Sequence, residues 1–169
     1  IESLTRSDDF VTLWEGGKYD QLIRETERTL AQSPLNPTAL VFNGFAHFYR
    51  GLNRVSSNEN REDLKEAVVS LRKALLLNET PLKGRVHYVL AKAYYHTGRF
   101  YFDAAAEHME KALAAGYVGR DSYTYLGLAY AKLSNYQKSV ESFQEAIEQE
   151  PTDLLYMTAA ESYAELGQY

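Results

Sequence analysis

The sequence predicts an all-α protein, an α-solenoid of about four and a half antiparallel helix pairs, and three observations carry that prediction. Two landmarks recur in a constant order. A small residue, any residue and an aromatic stand at Gly17-Lys18-Tyr19, Gly98-Arg99-Phe100, Ser134-Asn135-Tyr136 and Gly167-Gln168-Tyr169, the last three separated by 36 and 33 residues. A small residue followed by an aliphatic one stands at Thr29-Leu30, Ala74-Leu75, Ala112-Leu113 and Ala146-Ile147, at intervals of 45, 38 and 34. Between landmarks the apolar residues fall at helical spacing, as in Leu64, Ala67, Val68, Leu71, Ala74 and Leu75, or Val140, Phe143, Ala146 and Ile147. Pro34, Pro37, Pro81 and Pro151 lie between such stripes and never inside one, and no segment alternates apolar and polar long enough to make a strand.

Nine helices follow, near 2–14, 18–32, 37–50, 62–77, 83–97, 103–115, 120–133, 136–149 and 153–166, pairing as four hairpins and one unpaired helix. The first pair turns at Gly17 and closes before Pro34. Helix 37–50 is apolar around most of its circumference through Leu40, Val41, Phe42, Phe45, Phe48 and Tyr49, the composition of a buried helix. The polar insertion 52–62 then adds roughly eleven residues to its pair. It reads as an edge loop that carries binding residues or, the favoured reading, merely tolerates growth. In the turn of the third pair, Phe100, Tyr101 and Phe102 either form a contact at that edge or close the pair. The fourth pair, 120–133 with 136–149, is the most compact in sequence. Residues 153–169 resemble the first helix and turn of a fifth pair, so the chain reads as a fragment of a longer one. A terminal cap with Glu161 and Glu165 outward is the alternative. The whole is expected to be a single domain of repeats 2–36, 37–82, 83–119, 120–152 and a partial 153–169.

Composition narrows the function. At 169 residues, 45% of them hydrophobic, the chain can fill a substantial core. Its net charge of −5 and scattered Lys and Arg speak against nucleic acid, which needs clustered cations to displace counterions. No apolar run suffices to span a bilayer, so no membrane insertion is expected. The absence of cysteine removes disulfides, thiolate metal sites and thiol nucleophiles. The compartment stays open, with the cytoplasm slightly favoured over export.

Tyr123, Leu126, Gly127 and Tyr130, then Ser139, Phe143, Ala146 and Pro151, resemble the tetratricopeptide repeat pattern in residue type and spacing. Each has a packing reason as well: Gly127 lets the partner helix approach, Ser139 and Ala146 keep the seam thin, and Tyr130 and Phe143 fill it. Residues 83–116 resemble the pattern through Tyr94, Gly98, Ala105, Met109, Ala112 and Leu113, and 37–81 through Gly44, Gly51, Ala67, Leu71 and Ala74. Residues 2–34 keep only Gly17, Tyr19, Leu30 and Pro34 of it.

The resemblance implies a right-handed superhelix whose concave groove, lined by the first helix of each pair, holds an extended peptide or a helix. On that geometry the groove takes Val11 and Trp14, then Val41, Phe45, Phe48 and Tyr49, then Tyr88, Lys92, Tyr95 and His96, and last Thr124, Leu128, Ala131 and Lys132. Val41, Phe45, Tyr88 and Tyr95 admit a second reading, packing against neighbouring first helices. The groove is expected to receive an apolar or aromatic segment of a protein or peptide ligand. Carboxylate clamping, as in tetratricopeptide co-chaperones, is not expected: the corresponding positions hold Ser7, Val11, Phe42, Arg85 and Val89, of which only Arg85 suits.

No catalytic chemistry is legible. The sequence has no Gly-rich phosphate loop, Gly-x-Ser-x-Gly elbow or His-Glu-x-x-His helix. His47, His87, His96 and His108 lack ligand spacing. Glu141, Glu145 and Glu148 make a solvated helix face, and Asn78-Glu79-Thr80 matches a glycosylation acceptor only at the level of chance. The expected function is therefore a non-enzymatic protein–protein interaction scaffold without cofactor or metal. The alternative is a structural module that self-associates through its open C-terminal end or convex face.

Overall fold

The small residue of the first landmark has a single backbone task. In the computed structural model of the chain, which describes residues 2–167 and side chains from Asp9 onward, Gly17, Gly98, Ser134 and Gly167 all take positive φ, at 64, 124, 57 and 74°. The left-handed residue ends one helix and lets the chain reverse into the next, and glycine does this without a Cβ penalty. Ser134 does it at a cost.

The described residues form nine α-helices and no strands: α1 (Glu2–Glu15), α2 (Tyr19–Gln32), α3 (Pro37–Leu52), α4 (Ser57–Leu75), α5 (Lys83–Thr97), α6 (Phe102–Ala114), α7 (Ser122–Lys132), α8 (Tyr136–Gln149) and α9 (Asp153–Glu165). A 3₁₀ turn, Arg99–Tyr101, precedes α6. Helix starts follow the local chemistry. Asn36 caps α3 by accepting from the Ala39 amide at 2.9 Å, with Pro37 at the first helical position where no amide is needed. Asn135 and Thr152 cap α8 and α9 in the same way, at 3.3 and 3.2 Å. Consecutive helices pack on one another throughout, and the first helix of each pair also touches the first helix of the next, which makes the chain a solenoid.

The insertion in the second pair is not a loop. Helices α3 and α4 have 16 and 19 residues where α7 and α8 have 11 and 14, and the turn between them is Asn53–Ser56. The extra residues lengthen both helices, so the hairpin projects further at one edge. Buried Asp63 fixes the longer hairpin. It accepts from Arg50 at 2.6 Å, from Arg54 at 2.8 Å and from the ring nitrogen of His47 at 2.7 Å, tying α3, the turn and α4 together. The Asn60 amide closes the arrangement by donating to the Gly51 carbonyl at 2.8 Å. Burial pushes the Asp63 carboxyl upward, but hydrogen bonds from Arg50 and His47 outweigh it and hold the group below its ordinary range.

Within pairs, glycine lets the seam close. A Cβ on Gly44 would come within 2.5 Å of Leu71, and one on Gly127 within 2.9 Å of the Phe143 ring. A small hydroxyl of the second helix faces each seam. Ser70 donates to Asn43 at 2.7 Å, and Ser139 donates to the Gly127 carbonyl at 2.8 Å. One large apolar cluster runs from Phe10 to Tyr130, and a second, small one joins Phe143, Ala146, Leu155 and Ala159.

Candidate functional site

The first helices of the pairs, α1, α3, α5, α7 and α9, touch in that order and form one continuous face. Its centre is built by α5, where Tyr88, Lys92, Tyr95 and His96 recur at four, seven and eight residues and so share a stripe. The Lys92 ammonium donates to Asp121 at 2.7 Å and to the Tyr88 hydroxyl at 3.1 Å. It lies 4.8 Å from the Tyr88 ring centroid, 4.9 Å from that of Tyr125 and 5.8 Å from that of Phe48. Tyr88 donates to the second Asp121 oxygen at 2.5 Å. One carboxylate and three ring faces thus compensate a buried ammonium, and the arrangement locks α5 to the start of α7. Burial raises the Tyr88 hydroxyl far above its usual range, with the Asp121 hydrogen bond adding to it.

Around this lock lie groups that reach solvent. Arg85 donates to the Tyr117 hydroxyl at 3.0 Å and sits over its ring. His96 and the Tyr125 hydroxyl are 2.7 Å apart, and the Tyr95 ring meets Phe102 and Tyr125. Desolvation and the nearby Lys92 charge keep the His96 imidazole below its ordinary value, hence neutral at pH 7. Partial burial pushes the Tyr49 hydroxyl up to about 12, with Asp121 contributing.

The residues expected in the groove divide. Val41, Phe45 and Phe48 are completely buried, and Tyr88 and Lys92 nearly so. Val41, Phe45 and Tyr88 follow the second reading, packing against neighbouring helices, and the expectation that Phe48 and Lys92 present surface to a partner is corrected: α3 is enclosed by α1, α2, α4 and α5 at once, and Lys92 is covered by rings. Trp14, Tyr49, Tyr95 and Leu128 stay half-buried, while His96 and Lys132 are exposed. Trp14 packs against Tyr19, Phe45 and Tyr49, so the expected aromatic character is real but mostly turned inward. Of the edge rings, Phe102 packs against Tyr95, Tyr101 stacks on Tyr94, and Phe100 is exposed.

Sequence reasoning missed the C-terminal part of this face. A cavity of about 370 Å³ lies between α5, α7 and α9, lined by Tyr88, Asp121, Thr124, Leu154 and Thr158 and flanked by the Arg120–Glu150 ion pair. Leu154 and Met157 on α9 are each 74% exposed. A signal was available: they stand 33 residues after Asp121 and Thr124, the spacing of the last landmark interval. Asp121, Tyr117 and Tyr125 carried no such signal, because their role arises from contacts across α5. Among the described residues no group of three or more His, Cys, Asp or Glu is placed to hold a metal ion, and no helix is long and apolar enough to cross a membrane.

Fold and face together define a helical-repeat solenoid with one continuous face of first helices. Residues 121–153 match the family model of the tetratricopeptide repeat. The fold is shared with solved structures of MamA, at 23% identity and TM-score 0.74 over 98% of this chain and 82% of that one. It is shared also with MamA MSR-1, at 18% identity and TM-score 0.77 over 99% and 88%, respectively. A thermophilic TPR protein in Thermus thermophilus aligns at 18% identity and TM-score 0.62, over 92% of this chain and 78% of its own. No curated protein matches the sequence. Residues 121–153 are thus a tetratricopeptide repeat by their match to the family model, and the chain as a whole shares the fold of these solved structures.

Proposed function

We propose that the chain binds an extended or helical segment of a partner protein along the face of its first helices, with the C-terminal cavity as the principal seat. The observation that carries this reading is the exposure of Leu154 and Met157 beside that cavity, apolar side chains on the face where Val41, Phe45 and Phe48 are packed away. The half-buried rings of Tyr49 and Tyr95 and the polar tips of His96 and Tyr125 extend the surface toward the N-terminal pairs. A partner segment would place an apolar side chain against Leu154 and set its backbone among the hydroxyl, imidazole and carboxylate groups of α5 and α7. No step of this role calls for a reaction or a cofactor.

The test is capture of binding proteins from native extract by the wild-type chain and by a Leu154→Arg, Met157→Arg variant. Both positions are exposed, so helicity and melting temperature should not change. Partners lost only by the variant support the concave seat, and an identical set of partners overturns it.

A second reading, self-association through α9, is favoured by Tyr156. This residue is 53% exposed, whereas Tyr123, 33 residues earlier, packs on the Phe143 cluster. A mass that rises with concentration in the wild type and stays monomeric in Tyr156→Ser would select this reading.

A further inference from the structure

A cavity of about 720 Å³ opens at the edge of the solenoid and meets the concave face only at His96. It sits at the edge where the lengthened α3–α4 hairpin overhangs the turn between α5 and α6. Its charge is one-sided. Arg54, Arg61, Lys65 and Arg72 line it and no carboxylate does, in a chain whose net charge is −5. Arg61, Lys65 and Arg72 recur at four and seven residues and so occupy one face of α4, while Glu62 and Glu66 fall on the next face and stay out of the cavity.

Among the described residues, Arg54 is neutralised by Asp63 and Glu59, whereas Arg61, Lys65 and Arg72 form no ion pair. Cations with carboxylates available one helix face away, yet unpaired and gathered over a cavity, leave a local positive field that bulk composition hides. The floor is apolar. Leu64, Val68 and Val69 lie beneath the cations, and Val55 at the hairpin tip is wholly exposed. Tyr94 and Tyr101 close the far wall as a stacked pair, with ring centroids 5.5 Å apart.

From this geometry we infer that the edge cavity is a second binding site, which takes an acidic segment of a partner protein carrying an apolar or aromatic anchor. Charge complementarity selects the acidic class. The valine and tyrosine floor selects an anchored peptide over a bare anion, because an inorganic phosphate would leave the apolar floor uncovered. Nucleic acid fits less well, since a phosphate backbone needs a track of cations and here they are confined to one helix face. The eleven-residue insertion thereby gains a function: Arg54, Val55, Asn60 and Arg61, which wall the cavity, all belong to it.

The probe is a fluorescein-labelled decapeptide of Asp and Glu with one Leu and one Phe, measured by anisotropy beside a version with its acids replaced by Gln and Asn. The wild-type chain should bind the acidic peptide, lose affinity as salt rises, and bind the neutral version at least about tenfold more weakly. Arg61→Gln, Lys65→Gln removes two exposed, unpaired cations, keeps helicity, and should weaken binding about tenfold; Val55→Ser should weaken it less. The Leu154→Arg, Met157→Arg variant should bind the probe unchanged, which separates failure of this site from failure of the concave reading. No binding by the wild type overturns the proposal, as does equal binding by the double Gln variant. Tighter binding of inorganic polyphosphate or a single-stranded oligonucleotide at the same residues overturns the peptide assignment. So does a mass that rises with concentration and returns to monomer in the double Gln variant, which would make a second copy the occupant.

Discussion

The second and fourth helix pairs solve the same packing problem with different materials. In the fourth, α7 and α8 meet over a thin seam in which Gly127 admits the Phe143 ring and Ser139 donates to a backbone carbonyl. In the second, Gly44 admits Leu71 in the equivalent way, but Ser70 and Asn43 form a buried polar chain that runs on to Thr26 of α2, and the far end of the hairpin is held by the charged cluster at Asp63. The pair closest to the repeat pattern is held by small residues and close approach. The pair that departs from it needs a buried carboxylate to order its longer helices, and in return exposes cations that a plain repeat lacks.

Breaking the Asp63 cluster should have the largest effect. Asp63→Asn leaves Arg50, Arg54 and His47 around an uncharged amide and should cost about 3 kcal/mol. That is at the low end for a buried pair, because both arginines keep access to solvent. Denaturant titration at pH 7 measures it, and the sign with pH is fixed. The folded-state pKa lies below the ordinary 3.8, so the wild type holds this contribution above that value and loses it as pH falls through the folded pKa. Asp63→Asn should show a flatter acid limb.

The two glycine seams give a smaller, directly comparable effect. Gly44→Ala forces a Cβ to within 2.5 Å of Leu71, and Gly127→Ala forces one to within 2.9 Å of the Phe143 ring. Overpacking costs about 1–3 kcal/mol and helix propensity returns up to about 1. The net loss should be about 2 kcal/mol at Gly44 and about 1 at Gly127. Equal losses would mean that the longer hairpin relaxes where the compact one does not. Smallest, and of opposite sign, is Ser134→Gly. It removes a left-handed non-glycine residue and should gain about 0.5–1 kcal/mol, or roughly 2–4 °C in Tm per kcal/mol, after the unfolded chain's added entropy is subtracted.

Most of the fold was legible because its landmarks are backbone requirements. The small-x-aromatic landmark marks left-handed turn residues, and the prolines mark helix entries. The insertion was misread as a loop because Ser56 to Glu62 is polar, and polarity alone does not separate a loop from an exposed helix end. Its helical state depends on Asp63 gathering Arg50 and Arg54, a contact that no local pattern encodes. The site was half legible. Spacing put Tyr49, Tyr88, Tyr95 and His96 on first helices, but periodicity gives a direction and not the depth of cover, so Phe48 was assigned a surface it does not have and Val41 and Phe45 were left between two readings that burial decides for packing. Lys92 read as a groove cation for the same reason, since its partners Asp121 and Tyr125 come from the next pair.

The division of the core into a large cluster from α1 to α7 and a small one between α8 and α9 bears on how the chain comes apart. Trp14, the single tryptophan, packs at the far end from the small cluster. Its emission therefore reports the melting of the large cluster and is blind to the opening of α9, whereas amide exchange sees both. The residues we assign to partner binding on α9 thus stand on the helix that closes the smaller of the two clusters. A ligand seated there would act as a clasp, joining the cooperative unit of the last helix to that of the rest.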